Sequence, residues 1–136
     1  MKVKVTPSKV HGNVKIPASK SMAHRALICA SLSDGTSIVS NVTNSKDIEA
    51  TVGCMKALGA IIKQIDETTY EVTGTNLFKQ EGNITCNANE SGSTLRFLIP
   101  LAACTNAKVK FLGQGRLLQR PMDVYANEFK KQNIEF

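Results

Sequence analysis

The sequence predicts an α/β protein, in the α+β sense, made of repeated βαβαββ units, and three observations lead there. Stretches of β-branched alternation and stretches of helical spacing succeed one another in the order βαβαββ, then βαβα and the start of a further strand. Arg25-Ala26-Leu27-Ile28 returns as Arg96-Phe97-Leu98-Ile99 behind a Ser-rich helix start, and Asp47-Ile48 returns as Asp123-Val124 at the opening of an amphipathic helix. The chain has 136 residues, of which 42% are hydrophobic and 21% charged, enough to pack a core and too short for two domains of ordinary size. The expected organisation is a pair of opening strands over residues 1–17, a first unit over 18–82 and a second, incomplete unit over 83–136.

Each element has its own signal. Val3 and Val5, then Val14 and Ile16, alternate as two short strands around a turn at His11-Gly12-Asn13, and Pro17 closes the second. Ala18-Ser19-Lys20-Ser21 offers capping residues, and Ala23, Leu27, Ala30 and Leu32 follow at helical spacing until Asp34-Gly35. The β-branched run over 36–42 reads as a strand. Ile48, Val52, Met55 and Leu58 define one face of a helix over 45–58, with Gly59 as its stop. A hairpin is expected from 61–65 and 70–72. The pattern then starts again: a strand over 84–86, a helix over 91–104, a strand over 108–112, a loop at Gly113-Gln114-Gly115 and a helix from Pro121 to about 131. Asn133-Ile134-Glu135-Phe136 alternates like the beginning of a strand, so the chain reads as a fragment.

Composition narrows the partners. Lys plus Arg exceed Asp plus Glu by 17 to 11, a net charge of +6, which points to an anion. Aromatic residues are 5% and Trp is absent, against the stacking platforms of single-strand nucleic-acid binders. No apolar run is long enough for a membrane span, and the basic start is not followed by a signal core, so a cytoplasmic protein without membrane or nucleic-acid partners is expected. Cys29, Cys54, Cys86 and Cys104 form no C-x-x-C pair; they read as small buried apolar residues rather than zinc ligands, disulfides or nucleophiles.

Three polar segments carry the chemistry. In Ser19-Lys20-Ser21-Met22-Ala23-His24-Arg25, a helix beginning near Ser21 brings free amides, a hydroxyl, the Lys20 ammonium and, one turn on, the Arg25 guanidinium to one point. That combination holds phosphate; its plainer alternative is a capped helix with solvated cations. Asn89-Glu90-Ser91-Gly92-Ser93-Thr94-Leu95-Arg96 repeats the theme, with Gly92 allowing close backbone approach. Gly113-Gln114-Gly115-Arg116-Leu117-Leu118-Gln119-Arg120-Pro121 offers Arg120 as an anion clamp, a solvated basic loop being its equal alternative. No G-x-x-x-x-G-K-[ST] occurs, which rules out nucleotide hydrolysis by that device. His24 is expected on the helix surface.

Taken together and in this order, S-K-S-x-x-x-R, N-E-S-G-S-T-x-R and G-x-G-R-x-x-x-R-P resemble the 5-enolpyruvylshikimate-3-phosphate (EPSP) synthases across nearly the whole chain. The resemblance implies an enolpyruvyl transferase fold of two domains, each of three βαβαββ units. This chain would cover about two units of one domain, and residues 1–17 would belong to the other. It implies transfer of the enolpyruvyl group of phosphoenolpyruvate to the 5-hydroxyl of shikimate 3-phosphate, with phosphate released and no metal or organic cofactor. By the same resemblance Lys20 is catalytic and contacts both substrates, Ser21 and Arg25 hold shikimate 3-phosphate, and Gly92 and Arg120 line the phosphoenolpyruvate pocket, where glyphosate also binds. The remaining acid, base and arginine groups would lie in a C-terminal part that the cleft requires. Glu90, Ser91, Ser93 and Phe97 depart from the family's common residues and put inhibitor sensitivity in doubt. Two alternatives stand: a UDP-N-acetylglucosamine enolpyruvyl transferase, disfavoured by Lys20-Ser21 with Arg25 and by a 113–121 loop without Cys, and a non-catalytic anion-binding module.

Overall fold

The computed structural model describes residues 2–136. Among the described residues four helices and five strands follow one another: α1 (Lys20–Leu32), β1 (Thr36–Val39), α2 (Lys46–Ala57), β2 (Ile61–Gln64), β3 (Tyr70–Thr73), β4 (Glu81–Asn87), α3 (Gly92–Ala102), β5 (Asn106–Leu112) and α4 (Asp123–Lys131), with short 3₁₀ turns at Leu77–Lys79 and Gly115–Gln119. The helices begin where serine can cap them. Ser19, Ser45 and Ser91 each accept a hydrogen bond on Oγ from the amide three residues on, at Met22, Ile48 and Thr94.

The strands form two sheets. In the first, β3 lies between β1 and β2 and is antiparallel to both, so Ser37, Val72 and Ile62 line up across it, as do Val39, Tyr70 and Gln64. That face meets the helices, with Val72, Ile62 and Tyr70 buried; the other face is held by Thr36 Oγ1 and Thr73 Oγ1 at 2.9 Å and by the Lys63–Glu71 pair. In the second sheet β4 and β5 run parallel, joined by α3 as a crossover. Leu27 of α1, Ile48 and Met55 of α2, Leu58, Val72 and Leu98 of α3 are wholly buried in one continuous core, each worth about 1.5–3 kcal/mol of transfer free energy.

Two local features position the helices. Gly74 follows β3 so close to the end of α1 that a Cβ there would lie 1.8 Å from the Ser33 carbonyl oxygen; its amide donates to Gly35 O and that of Thr75 to Ser31 O. Pro100 lies inside α3 and has no N–H to give the carbonyl of Arg96, four residues earlier. The Tyr125 hydroxyl of α4 donates to that carbonyl at 3.0 Å.

The opening strands expected over 1–17 are not formed: residues 2–19 contain no strand. A strand needs a neighbour for its backbone groups, and neither sheet pairs with this segment, so Val3, Val5, Val10, Val14 and Ile16 remain 70–94% exposed. Residues 133–136 form no strand for the same reason, and β1 stops at Val39, three residues before the expected end. From α1 onward the expected order holds. Of the cysteines, Cys54 and Cys86 are buried as expected, whereas Cys29 and Cys104 are exposed; all four are free thiols. The contact between Cys54 and Cys86, aided by burial, pushes the Cys54 thiol up. No helix among the described residues is long and apolar enough to cross a membrane.

Candidate functional site

The amino ends of α1, α2 and α3 meet. Lys20, the first residue of α1, places Nζ 2.6 Å from Oδ2 of Asp47 in the first turn of α2. Asp47 O in turn accepts from Thr94 Oγ1, in the first turn of α3, at 3.3 Å. Neither α1 nor α3 has an acidic side chain in its first turn. After Ser19 and Ser91 have taken the third and fourth amides, those of Lys20 and Ser21 on α1 and of Gly92 and Ser93 on α3 remain at the helix starts. Two partial positive ends with a cation beside them favour negative charge.

The predicted residues divide as follows. Arg25 folds back along α1, donating from Nη1 to Ser21 O at 2.9 Å, while its guanidinium carbon lies 5.0 Å from the ring centre of Phe97 on α3. Lys20, Ser21 and Arg25 therefore sit together at one exposed end. Gly92 and Arg120 meet as well: a Cβ on Gly92 would lie 2.5 Å from Arg120 Nη1, so the guanidinium lies against the backbone at the start of α3, and a side chain at position 92 would displace it. The loop carrying Arg120 is tied to the loop before α3, because Gln114 N donates to Asn89 O at 2.7 Å and Gly115, at φ 55°, rests against Glu90 Oε1. Lys20 and Arg120 thus lie at the same end of the molecule, joined through Asp47, Thr94 and Gly92.

His24 does not lie on the helix surface: it is fully buried, turned between α1 and α2, with Nδ1 2.7 Å from Thr51 Oγ1. Its neighbour Ala23 and the next turn, Leu27 and Ile28, are buried too, so the apolar stripe of α1 is wider than its aliphatic spacing indicates. Burial holds its pKa below the ordinary histidine value of 6.5; Asp47 opposes this, and Lys20 and Arg25 add to it. Sequence reasoning also gave no site role to Asp47, Thr51, Thr94 or Phe97. Asp47 had one usable signal, its place in the first turn of a Ser-capped helix; the others come together only through helix packing.

Two cavities lie along α3. A hollow of about 170 Å³ is bounded by Leu95, Leu117, Met122 and Arg120. A larger apolar groove of about 630 Å³ lies between α3, β5 and α4, lined by Ile99, Val109, Phe111, Phe129 and Phe136, and none of Lys20, Ser21, Arg25, Gly92 or Arg120 borders it. Among the described residues no group of three or more His, Cys, Asp or Glu side chains is placed to hold a metal ion.

The sequence profile of EPSP synthase (3-phosphoshikimate 1-carboxyvinyltransferase) matches residues 4–136. The chain belongs to the EPSP synthase family. Among its relatives, 3-phosphoshikimate 1-carboxyvinyltransferase of Clostridium perfringens (strain SM101 / Type A) is 50% identical over 99% of this chain and 32% of its own length. The proteins of the same name from Clostridium kluyveri and Clostridioides difficile are 48% and 46% identical over 98% of the chain. The chain spans about a third of the length of these EPSP synthase relatives. In structure it superposes on EPSP synthase from Acinetobacter baumannii with a TM-score of 0.79 at 19% identity, covering 91% of this chain and 28% of that one, which establishes the enolpyruvyl transferase fold.

Proposed function

We propose that this chain supplies one wall of an EPSP synthase active site, binding shikimate 3-phosphate and phosphoenolpyruvate for transfer of the enolpyruvyl group to the 5-hydroxyl of shikimate 3-phosphate with loss of phosphate. The observation that carries the reading is the gathering of Lys20, Ser21, Arg25, Gly92 and Arg120 at the joined amino ends of three helices. Adding a hydroxyl to C2 of an enol phosphate, then expelling phosphate, requires two multiply charged anions to be brought together and held. Cations and helix amides offset their repulsion, and fixed positions remove part of the entropic barrier. In this scheme Ser21 and Arg25 hold shikimate 3-phosphate, Gly92 and Arg120 take phosphoenolpyruvate, and Lys20 contacts both. Asp47 keeps the Lys20 ammonium in place until an anion competes for it. Residues 1–17 serve the second domain of the family fold, which would supply the remaining acid, base and arginine groups; residues 18–82 and 83–136 are successive units of the first.

Calorimetry with shikimate 3-phosphate tests the reading. Wild-type chain binds, and Lys20→Ala and Arg25→Ala each weaken binding by about tenfold or more, the scale of a charge-assisted contact. Three identical titrations would dismiss the site. The 136-residue chain alone gives no turnover, and measurable product from it would overturn the claim that it holds one wall only.

A further inference from the structure

One buried polar line runs beneath the anion end and takes no part in the binding scheme above. His24 Nδ1 on α1 lies 2.7 Å from Thr51 Oγ1 on α2. Thr51 Oγ1 lies 2.7 Å from Thr94 Oγ1 on α3, which is 2.7 Å from Ser91 Oγ, the cap of α3, and 3.3 Å from Asp47 O. All four side chains are buried, and His24 Nε2 has no hydrogen-bond partner among the described residues. The three helices whose amino ends gather the cations are therefore linked by one row of hydroxyls with an imidazole at its head.

Counting protons gives the row a direction. An imidazolium would bury a charge with Lys20 and Arg25 facing it from its own helix and only Asp47, on α2, in its favour; Ser91 and Thr94 on α3 are uncharged. It would also leave an Nε2–H with nothing to accept it. A neutral ring protonated on Nε2 leaves the same bare donor, whereas one protonated on Nδ1 leaves only a lone pair unused, and buried bare N–H groups are the rarer case in folded proteins. Nδ1–H then donates to Thr51 Oγ1, the Thr51 proton goes to Thr94 Oγ1, and the Thr94 proton is shared between Ser91 Oγ at 2.7 Å and the more distant Asp47 O at 3.3 Å. Ser91 Oγ also accepts the Thr94 amide that caps α3.

We propose that His24 is a positioning residue: as the Nδ1–H tautomer it sets the direction of the hydroxyl row through Thr51 and Thr94 and so fixes the start of α3, with Gly92 and Arg120, against Lys20 and Arg25. The inference rests on the proposed function only for the identity of the ligand. Its first test needs none. In a two-bond ¹H–¹⁵N spectrum of the folded chain at neutral pH, His24 shows a protonated Nδ1 and a bare Nε2; the opposite pattern overturns the proposal.

The second test uses variants whose folding is checked by circular dichroism. His24→Asn, whose amide nitrogen can stand where Nδ1 stood, keeps shikimate 3-phosphate affinity within about threefold, while His24→Gln, which reaches instead toward the Nε2 position, and the near-isosteric Thr51→Val each weaken it about tenfold. Equal affinity in Thr51→Val and wild type overturns the positioning role. If wild-type chain fails to bind shikimate 3-phosphate, the proposed function fails, and exchange of the Thr94 amide decides the positioning role by itself. Thr51→Val and His24→Gln then speed that exchange about tenfold and His24→Asn does not, the loss being one buried hydrogen bond; unchanged exchange in Thr51→Val overturns the proposal.

Discussion

Helices α2 and α4 open with the same acid–aliphatic pair and meet opposite fates. Ile48 is 0% exposed, whereas Val124 is 74% exposed. Helix α2 lies between α1, α3 and both sheets, buries five residues and has a serine cap; α4 buries none, and Met122 before it gives no side-chain cap. What holds α4 is local: the Tyr125 hydroxyl on the carbonyl freed by Pro100, and edge-on contacts from Tyr125 to Phe129 and from Phe129 to Phe136. An amphipathic sequence makes a helix in both places, but only neighbours on several sides turn it into core.

Substitutions can break that contrast. Ile48→Ala should cost about 3–4 kcal/mol in urea unfolding, the penalty of a cavity in a closed core, while Val124→Ala stays within about 0.5 kcal/mol; similar costs at both positions would erase the distinction. Ser45→Ala should cost about 1 kcal/mol by removing the cap of α2. Tyr125→Phe should loosen α4 by about 1 kcal/mol, read as faster amide exchange within α4 and little change in the global unfolding midpoint. A full drop in global stability instead would make α4 as integral as α2.

Acid sharpens the contrast further. The folded-state pKa of His24 lies below the ordinary 6.5, so the unfolded chain binds more protons between the two values and stability falls as pH drops below about 6.5. His24→Asn should flatten that part of the profile, and an unchanged profile would show that His24 is not its source. The smallest effect is expected at Asp47→Asn: the Lys20–Asp47 pair is 54% and 32% exposed on its two side chains, so its loss should cost under about 1 kcal/mol.

The elements that the sequence announces are those with local causes. Serine caps at 19, 45 and 91 and the aliphatic spacing between them locate α1, α2 and α3 to within two residues at their starts, and β-branched runs locate the strands. The opening strands misled because alternation records a preference for an extended chain and says nothing of a partner edge. Of the candidate site, the resemblance that the motifs carry assigned Gly92 and Arg120, far apart in the chain, to one pocket, and these two residues do lie against each other. His24 misled because its ring lies on the packed side of α1, where Thr51, the polar residue that receives it, and Thr94 behind Thr51 come from other helices.

Gly74 gives α1 a second anchor. Thirteen residues of helix, about 20 Å, separate the Ser33 end pressed against Gly74 from the Lys20 end beside Asp47. A methyl group added at position 74 would drive into the Ser33 carbonyl, so the end of α1 would have to give way there, far from Lys20, Ser21 and Arg25. Position 74 is thus a place from which a substitution reaches the helix that carries Lys20, Ser21 and Arg25 without touching any of them.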